Sequence, residues 1–223
     1  MMRHWLSRSG VRLALLGAAL LGALLGVSPA QAHPHVWVTS AAEVIYNPDG
    51  SVVAIRHSWD FDEAYTSFAI QGLDTNKDGK VSREELAALA QENAESLHEF
   101  DFFTTLKIDG KRQTFGQPKD YFMETNGPLL RFVYTLPLAA PVKPKTSVSL
   151  EVADNTFFVA FNLAEGDQAV TLVGAPQGCT IKITRPKTQA PQQTLSEQAF
   201  EALRGQGGDV GLQFSPKALI ACP

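Results

Sequence analysis

Apolar and polar residues alternate in short runs along most of this chain, and the alternation gives way to a long helical spacing between about residues 62 and 100. Val36 to Tyr46 reads as extended, Asn47-Pro48-Asp49-Gly50 as a turn, and Val52 to Trp59 as the returning strand of a hairpin. In the return strand Val53, Ile55, His57 and Trp59 share one face, with Arg56, Ser58 and Asp60 on the other. Leu106 to Ile108, Asp109-Gly110 and Lys111 to Phe115 predict a second hairpin with a two-residue turn. Further strands are expected at Tyr121 to Glu124, Leu129 to Leu136, Ser147 to Val152, Phe157 to Leu163, Ala169 to Val173, Thr180 to Thr184 and Ala218 to Cys222. Pro137, Pro141 and Pro144 predict a stiff connector and a boundary near 137–146, and Leu195 to Leu203 a short helix. The pattern predicts an α+β fold: a mostly antiparallel β body, in two layers or subdomains, carrying a helical insertion over 62–100.

The insertion is where the chemistry concentrates. Tyr65, Phe68, Ala69 and Leu73, then Leu86, Leu89, Ala90 and Leu97, recur at helical spacing on either side of a polar run from Asp74 to Glu85. In that run Asp74, Asn76 and Asp78 occupy loop positions 1, 3 and 5, Gly79 position 6, and Glu85 position 12. This is the spacing of an EF-hand calcium loop, in which six to eight oxygens surround a hard cation. Gly79 permits the sharp reversal, Lys80 contributes its backbone carbonyl, Ser82 acts through a water, and Glu85 closes the shell with both carboxylate oxygens. Ser82 and Glu85 also read as a capping box. Lys77, Lys80 and Arg83 place positive charge beside the ion, and no second loop pairs with this one through Val81 at position 8. The segment is therefore expected as an EF-hand helix–loop–helix that either senses calcium or is ordered by it.

At 223 residues the chain can bury a real core. Arg3, Arg8 and Arg12 with the apolar run Leu13 to Val27 and Ala30-Gln31-Ala32 predict a signal peptide over 1–32, cleaved after Ala32, and a periplasmic domain over 33–223 that is not membrane-embedded. Its removal lowers the formal charge from −4 to −7, which argues against a nucleic-acid partner. Cys179 and Cys222, an even pair in an oxidising compartment, are expected as a disulfide.

Cleavage would place an α-amine on His33 in His33-Pro34-His35-Val36-Trp37, and His33 and His35 fall on one side of an extended segment. With Asp60 and Asp62, or with Glu63, His57 or His98, they could hold Zn²⁺, Ni²⁺, Co²⁺ or Cu²⁺. Pro34 has no N–H, which excludes the square-planar site built on deprotonated amides. Neither Gly-x-Ser-x-Gly nor His-Glu-x-x-His occurs, and no hydrolase is predicted.

The start His33-Pro34-His35-Val36-Trp37, the run Trp59-Asp60-Phe61-Asp62-Glu63, the segment Thr156 to Phe161, Gly174-Ala175-Pro176-Gln177-Gly178-Cys179 and the terminal cysteine together resemble an exported bacterial family of unknown function. The resemblance covers nearly all of 33–223. It implies a periplasmic component of an uncharacterised transport system, with a membrane metal transporter as partner. The expectation is a calcium-binding accessory of transition-metal transport that is not an enzyme. The alternatives are a protein that calcium merely stabilises, or a copper enzyme with an amino-terminal histidine site.

Overall fold

The Asn47–Gly50 turn closes as its residue types predict: Asn47 Oδ1 and Asp49 Oδ1 accept the amide of Ser51 at 2.9 and 2.7 Å, and the chain reverses between two long strands. A computed structural model describes residues 31–186, 195–196, 201–202 and 215–223. The described residues from Ala32 onward belong to one compact unit. The expected leader falls outside the described residues save for Gln31 and Ala32. Among the described residues no helix is long and apolar enough to cross a membrane.

The first elements are β1 (Gln31–His33), β2 (Val36–Tyr46) and β3 (Val52–Phe61), then helices α1 (Glu63–Ala69) and α2 (Ala87–Ser96) and a 3₁₀ segment over Leu97–Phe103. There follow β4 (Thr104–Ile108), β5 (Lys111–Arg112), β6 (Lys119–Asn126), β7 (Leu129–Val142) and β8 (Val148–Val152). The last are β9 (Val159–Leu163), β10 (Val170–Val173), β11 (Thr180–Thr184), β12 (Leu195–Ser196) and β13 (Lys217–Ala221). Of the expected helix Leu195–Leu203, residues 195–196 are strand, 201–202 are helical, and the others lie outside the described residues.

β2 is the spine of the first sheet. It pairs antiparallel with β3, β3 with β7 and β7 with β6. On its other edge it takes two parallel partners in succession, β9 along Val36–Ser40 and β10 along Ala42–Ile45. The second sheet, in the order β11-β13-β8-β4-β5, is antiparallel throughout. The Asp109-Gly110 turn joins β4 to β5 with both residues at positive φ, 51° and 77°, as a two-residue hairpin turn requires. β7 runs on through Pro137 and Pro141, where a stiff connector was expected. Pro137 faces an irregularity in β3 between Val52 and Ala54, a place where a missing N–H is tolerated, and its carbonyl accepts the amide of Gly116 at 2.9 Å.

Two apolar clusters divide the interior. Val44, Ile55, Leu106, Leu150 and Ile220, all at most 2% exposed, pack the two sheets together at one end. At the other, Trp59, Phe61, Phe132 and Tyr134 of the first sheet pack with Leu86, Ala90, Ala94 and Leu97. Each buried valine, leucine or isoleucine among them contributes about 1.5–3 kcal/mol of burial free energy.

The α+β expectation with its inserted EF-hand helix–loop–helix does not hold. Strand dominates, and the two α-helices among the described residues have seven and ten residues. α1 stops at Ala69 in tightening turns, with Gln71 N bonded to Phe68 O and Leu73 N to Ile70 O, and Gly72 follows at φ 80°. α2 begins at Ala87, beyond the last loop position, with no side-chain cap on Leu86. The recurrence of Tyr65, Ala69 and Leu73 arises from a short helix plus a turn that both face the sheet. The helices lie on strands, α1 on β7 and α2 on β6.

Candidate functional site

The loop Asp74–Glu85 is curled round its own carboxylates. Asp74 accepts the amide of Asp78 on Oδ1 (3.1 Å) and that of Gly79 on Oδ2 (3.0 Å). Asn76 Oδ1 accepts Asp78 N at 2.9 Å, and Asp78 Oδ1 accepts Lys80 N at 2.8 Å. Lys77 and Gly79, at φ 60° and 83°, supply the left-handed residues of the bend. Glu85 spans the loop. Its Oε1 accepts Thr75 N and Thr75 Oγ1, both at 2.8 Å, and Asn76 N at 3.3 Å, while Oε2 accepts Ser82 N at 2.9 Å. Glu85 N donates to Ser82 Oγ at 3.3 Å, so the capping box forms, one turn ahead of α2. The bond from the Ser82 amide, followed by that from the Thr75 hydroxyl, lowers the Glu85 pKa to about 2.

The donors in this loop are all oxygens, the set a hard cation takes. Among the described residues, however, no three or more His, Cys, Asp or Glu side chains are gathered as a metal-binding group. Asp74, Asp78 and Glu85 are aimed into one loop without yet converging on one point. Arg83 turns away from the loop: it pairs with Glu124 and its guanidinium lies 4.0 Å from the Phe122 ring centroid. Val81, at the position that would pair with a second loop, packs on the apolar cluster with Leu73 and Leu86.

The amino-terminal candidates are spread over separate tasks. His33 lies in β1, its side chain outside the described residues. The His35 ring packs against Phe158, centroids 4.6 Å apart. Asp60 grips Arg131 with both oxygens, at 2.6 Å to Nε and 2.7 Å to Nη2, and these hydrogen bonds raise the Arg131 pKa; Asp60 also accepts Asn126 Nδ2 at 3.2 Å. Asp62 caps α1 by accepting Tyr65 N at 3.0 Å and accepts Trp37 N at 2.8 Å, which pins the start of β2 to the helix. His57 is fully buried and stacked on Tyr134, and desolvation lowers its pKa to about 3. His98 is exposed, its Nδ1 2.6 Å from the Glu95 carbonyl. Cys179 and Cys222 form the expected disulfide.

The sequence reading missed an apolar cavity of about 480 Å³ between the first sheet, α1, α2 and the 3₁₀ segment. Its signal was the density of phenylalanine over 100–103 and 157–161, which follows neither a helical nor a strand period; of these, Phe100, Phe103, Phe158 and Phe161 line the space.

A relative from Haemophilus influenzae, described as an uncharacterized protein, is 24% identical over 192 residues, covering 86% of this chain and 91% of its own length. The family described as "Protein of unknown function (DUF1007)" matches residues 18–222. That match takes in every element described above, and the chain belongs to the DUF1007 family.

Proposed function

We propose that the chain is an exported protein that binds one Ca²⁺ in the loop Asp74–Glu85, and that the ion fixes this loop against the body of the fold. The observation that carries this reading is the inward hydrogen bonding of the loop, whose amides already hold Asp74, Asn76, Asp78 and Glu85 around one bend. Asp74, Asn76 and Asp78 would bind through side-chain oxygens, Lys80 through its carbonyl, Ser82 through a water and Glu85 through both carboxylate oxygens. Val81 and Leu86 anchor the far half of the loop in the core, which gives a single loop the support that a paired loop would otherwise supply.

The proposed setting is the periplasm, after cleavage behind Ala32; the Cys179–Cys222 bond fits an oxidising compartment. The family resemblance supports a place beside a membrane transition-metal transporter. With Asp60 and Asp62 occupied by Arg131 and the α1 cap, a Zn²⁺, Ni²⁺, Co²⁺ or Cu²⁺ ion would depend on His33, His35 and the new α-amine.

Isothermal titration tests both parts. Ca²⁺ should bind with one site per chain, with a Kd of roughly 10⁻³ M or tighter, as in extracellular modules. The heat should vanish in an Asp78→Ala, Glu85→Ala double variant. Equal uptake by parent and variant would refute the calcium site. Zn²⁺, Ni²⁺, Co²⁺ and Cu²⁺ titrated into the cleaved chain should give at least one site that His35→Ala weakens, and silence for all four would remove the transport reading.

A further inference from the structure

The cavity between the first sheet and the helical segment has a rigid aromatic floor. Trp59 of β3 meets Phe161 of β9 edge to face at 5.0 Å and Phe132 of β7 at 6.3 Å, each planted on a hydrogen-bonded strand. Such a floor cannot slump into the space beside it, and about 480 Å³ stays open within the range of small-molecule sites, roughly 300–1,000 Å³. At the rim stand Phe100 and Phe158, 53% and 48% exposed, large apolar surfaces left to water.

One wall is reached through backbone strain. Asp101, Phe102 and Phe103 are consecutive left-handed residues at φ 50°, 57° and 49°, and Phe103 lines the space; Phe157, which precedes the rim residue Phe158, is at φ 58°. Bulky side chains avoid this region, and residues forced into it cluster at ligand sites. The reversal turns Phe103 against Trp59 and Phe161, at 6.1 and 5.4 Å, and stacks Phe100 on Phe103 at 5.1 Å, so one left-handed residue, Phe103, stands in the lining and carries a rim residue on its ring.

The lining also specifies the charge of its occupant. Asp154 is the one acidic side chain among the described residues that line it, and both its oxygens already accept donors: Oδ1 accepts Thr156 N and Oγ1, each at 2.8 Å, and Oδ2 accepts Val159 N at 3.0 Å. Among the described residues no lysine, arginine or histidine lines the space to meet an anion. At the edge, Asn93 and Ser96 of α2 turn N–H and O–H inward to Leu89 O and Asn93 O.

We propose that this cavity is a binding site for a neutral, apolar small molecule with a planar ring system, seated on Trp59, Phe132 and Phe161 and clasped by Phe100 and Phe158. The site is independent of the calcium loop and needs no ion to exist. The test is fluorescence titration of the full chain with the neutral probe phenylnaphthylamine. Binding should saturate at one probe per chain, and the sulfonated analogue, an anion of similar shape, should bind at least about tenfold more weakly. Ser96→Trp, which fills the mouth from α2 without touching the floor, should weaken the neutral probe by about tenfold or more at an unchanged melting temperature. Asn93→Trp does the same from the next turn should that variant fail to fold. Phe68→Ser, an exposed apolar residue outside the lining, should leave binding unchanged. Probe uptake that survives both tryptophan variants lies on the leader or another apolar surface and overturns the proposal. So does a sulfonated probe that binds as well as the neutral one, or the absence of saturation.

Discussion

Acidifying the protein from about pH 7.5 to about pH 5 should remove about 2 kcal/mol of stability through His57 alone. The ring is fully buried between Tyr134, at 4.9 Å, and Trp59, at 5.7 Å. Nε2 lies 3.3 Å from Thr104 Oγ1, which itself bonds the Phe102 carbonyl at 2.8 Å. Nδ1 has no hydrogen-bond partner among the described residues. A second proton would put a positive charge in an aromatic core, and desolvation lowers the folded pKa from 6.5 to about 3. The unfolded chain binds a proton near 6.5 and the folded chain does not, so stability is full above 6.5 and falls as the pH drops toward 3. At pH 5 the unfolded state gains RT ln(1 + 10^1.5), about 2 kcal/mol, and any folded value below about 4 gives nearly the same figure. Urea denaturation of the parent and of His57→Phe at both pH values isolates the effect, because the remaining histidines cancel in the comparison. The parent should lose about 2 kcal/mol more than the variant. Equal losses, within about 0.5 kcal/mol, would refute the reasoning; so would a His57 ring resonance that titrates between those two pH values.

Two further outcomes follow from contacts outside the proposed sites. Asp60→Ala should cost about 1–3 kcal/mol in urea melts, because it strands a part-buried arginine, and a double-mutant cycle with Arg131→Met should return most of that as coupling; additive losses would show that the pair contributes little. Reducing Cys179–Cys222, which closes a loop with a sequence separation of 43, should lower stability by about 4 kcal/mol on the chain-entropy account, and a calorimetric melt that is unmoved by reductant would contradict it.

What the sequence made legible was local. The two hairpins could be read because Asn47, Asp49, Asp109 and Gly110 carry turn chemistry within a few residues of the strands they join. The disulfide could be read because only two cysteines exist. Pairing between distant segments left no such mark. Nothing in Val159–Leu163 or Val170–Val173 announces that both lie parallel to the one long strand Val36–Tyr46. Asp60 looked like a metal ligand because its partner Arg131 is 71 residues away and only the sheet brings them together. The helical period over 62–100 overstated the helices, since a turn at Gly72 can place Leu73 on the same surface as Ala69 without continuing the rod. The cavity left the faintest trace, because the reversal that brings Phe103 to its wall runs through left-handed residues and follows no period, and its floor is gathered from three strands far apart in sequence.

A carboxylate that a fold uses for itself can be told from one that it holds ready for a cation by how many donors already crowd each oxygen. A carboxylate oxygen offers about two lone pairs. Asp109 Oδ1 takes four donors, from Lys145 N, Thr146 N, Thr146 Oγ1 and Ser147 N at 2.7–3.1 Å, and has nothing left for an ion. Asp154 Oδ1 takes two and is likewise filled, while its Oδ2 takes one. In the loop, Asp74 carries one donor on each oxygen, and Asp78 carries Lys80 N on one and Asn76 Nδ2 on the other, so each keeps a lone pair for a metal. Glu85 Oε1, with three donors, is the exception, and it must release Thr75 or Asn76 before it can bind. Calcium affinity should therefore be set at Glu85, where the ion competes with hydrogen bonds that already close the loop, while Asp74 and Asp78 join the shell with the amides that shape them still in place.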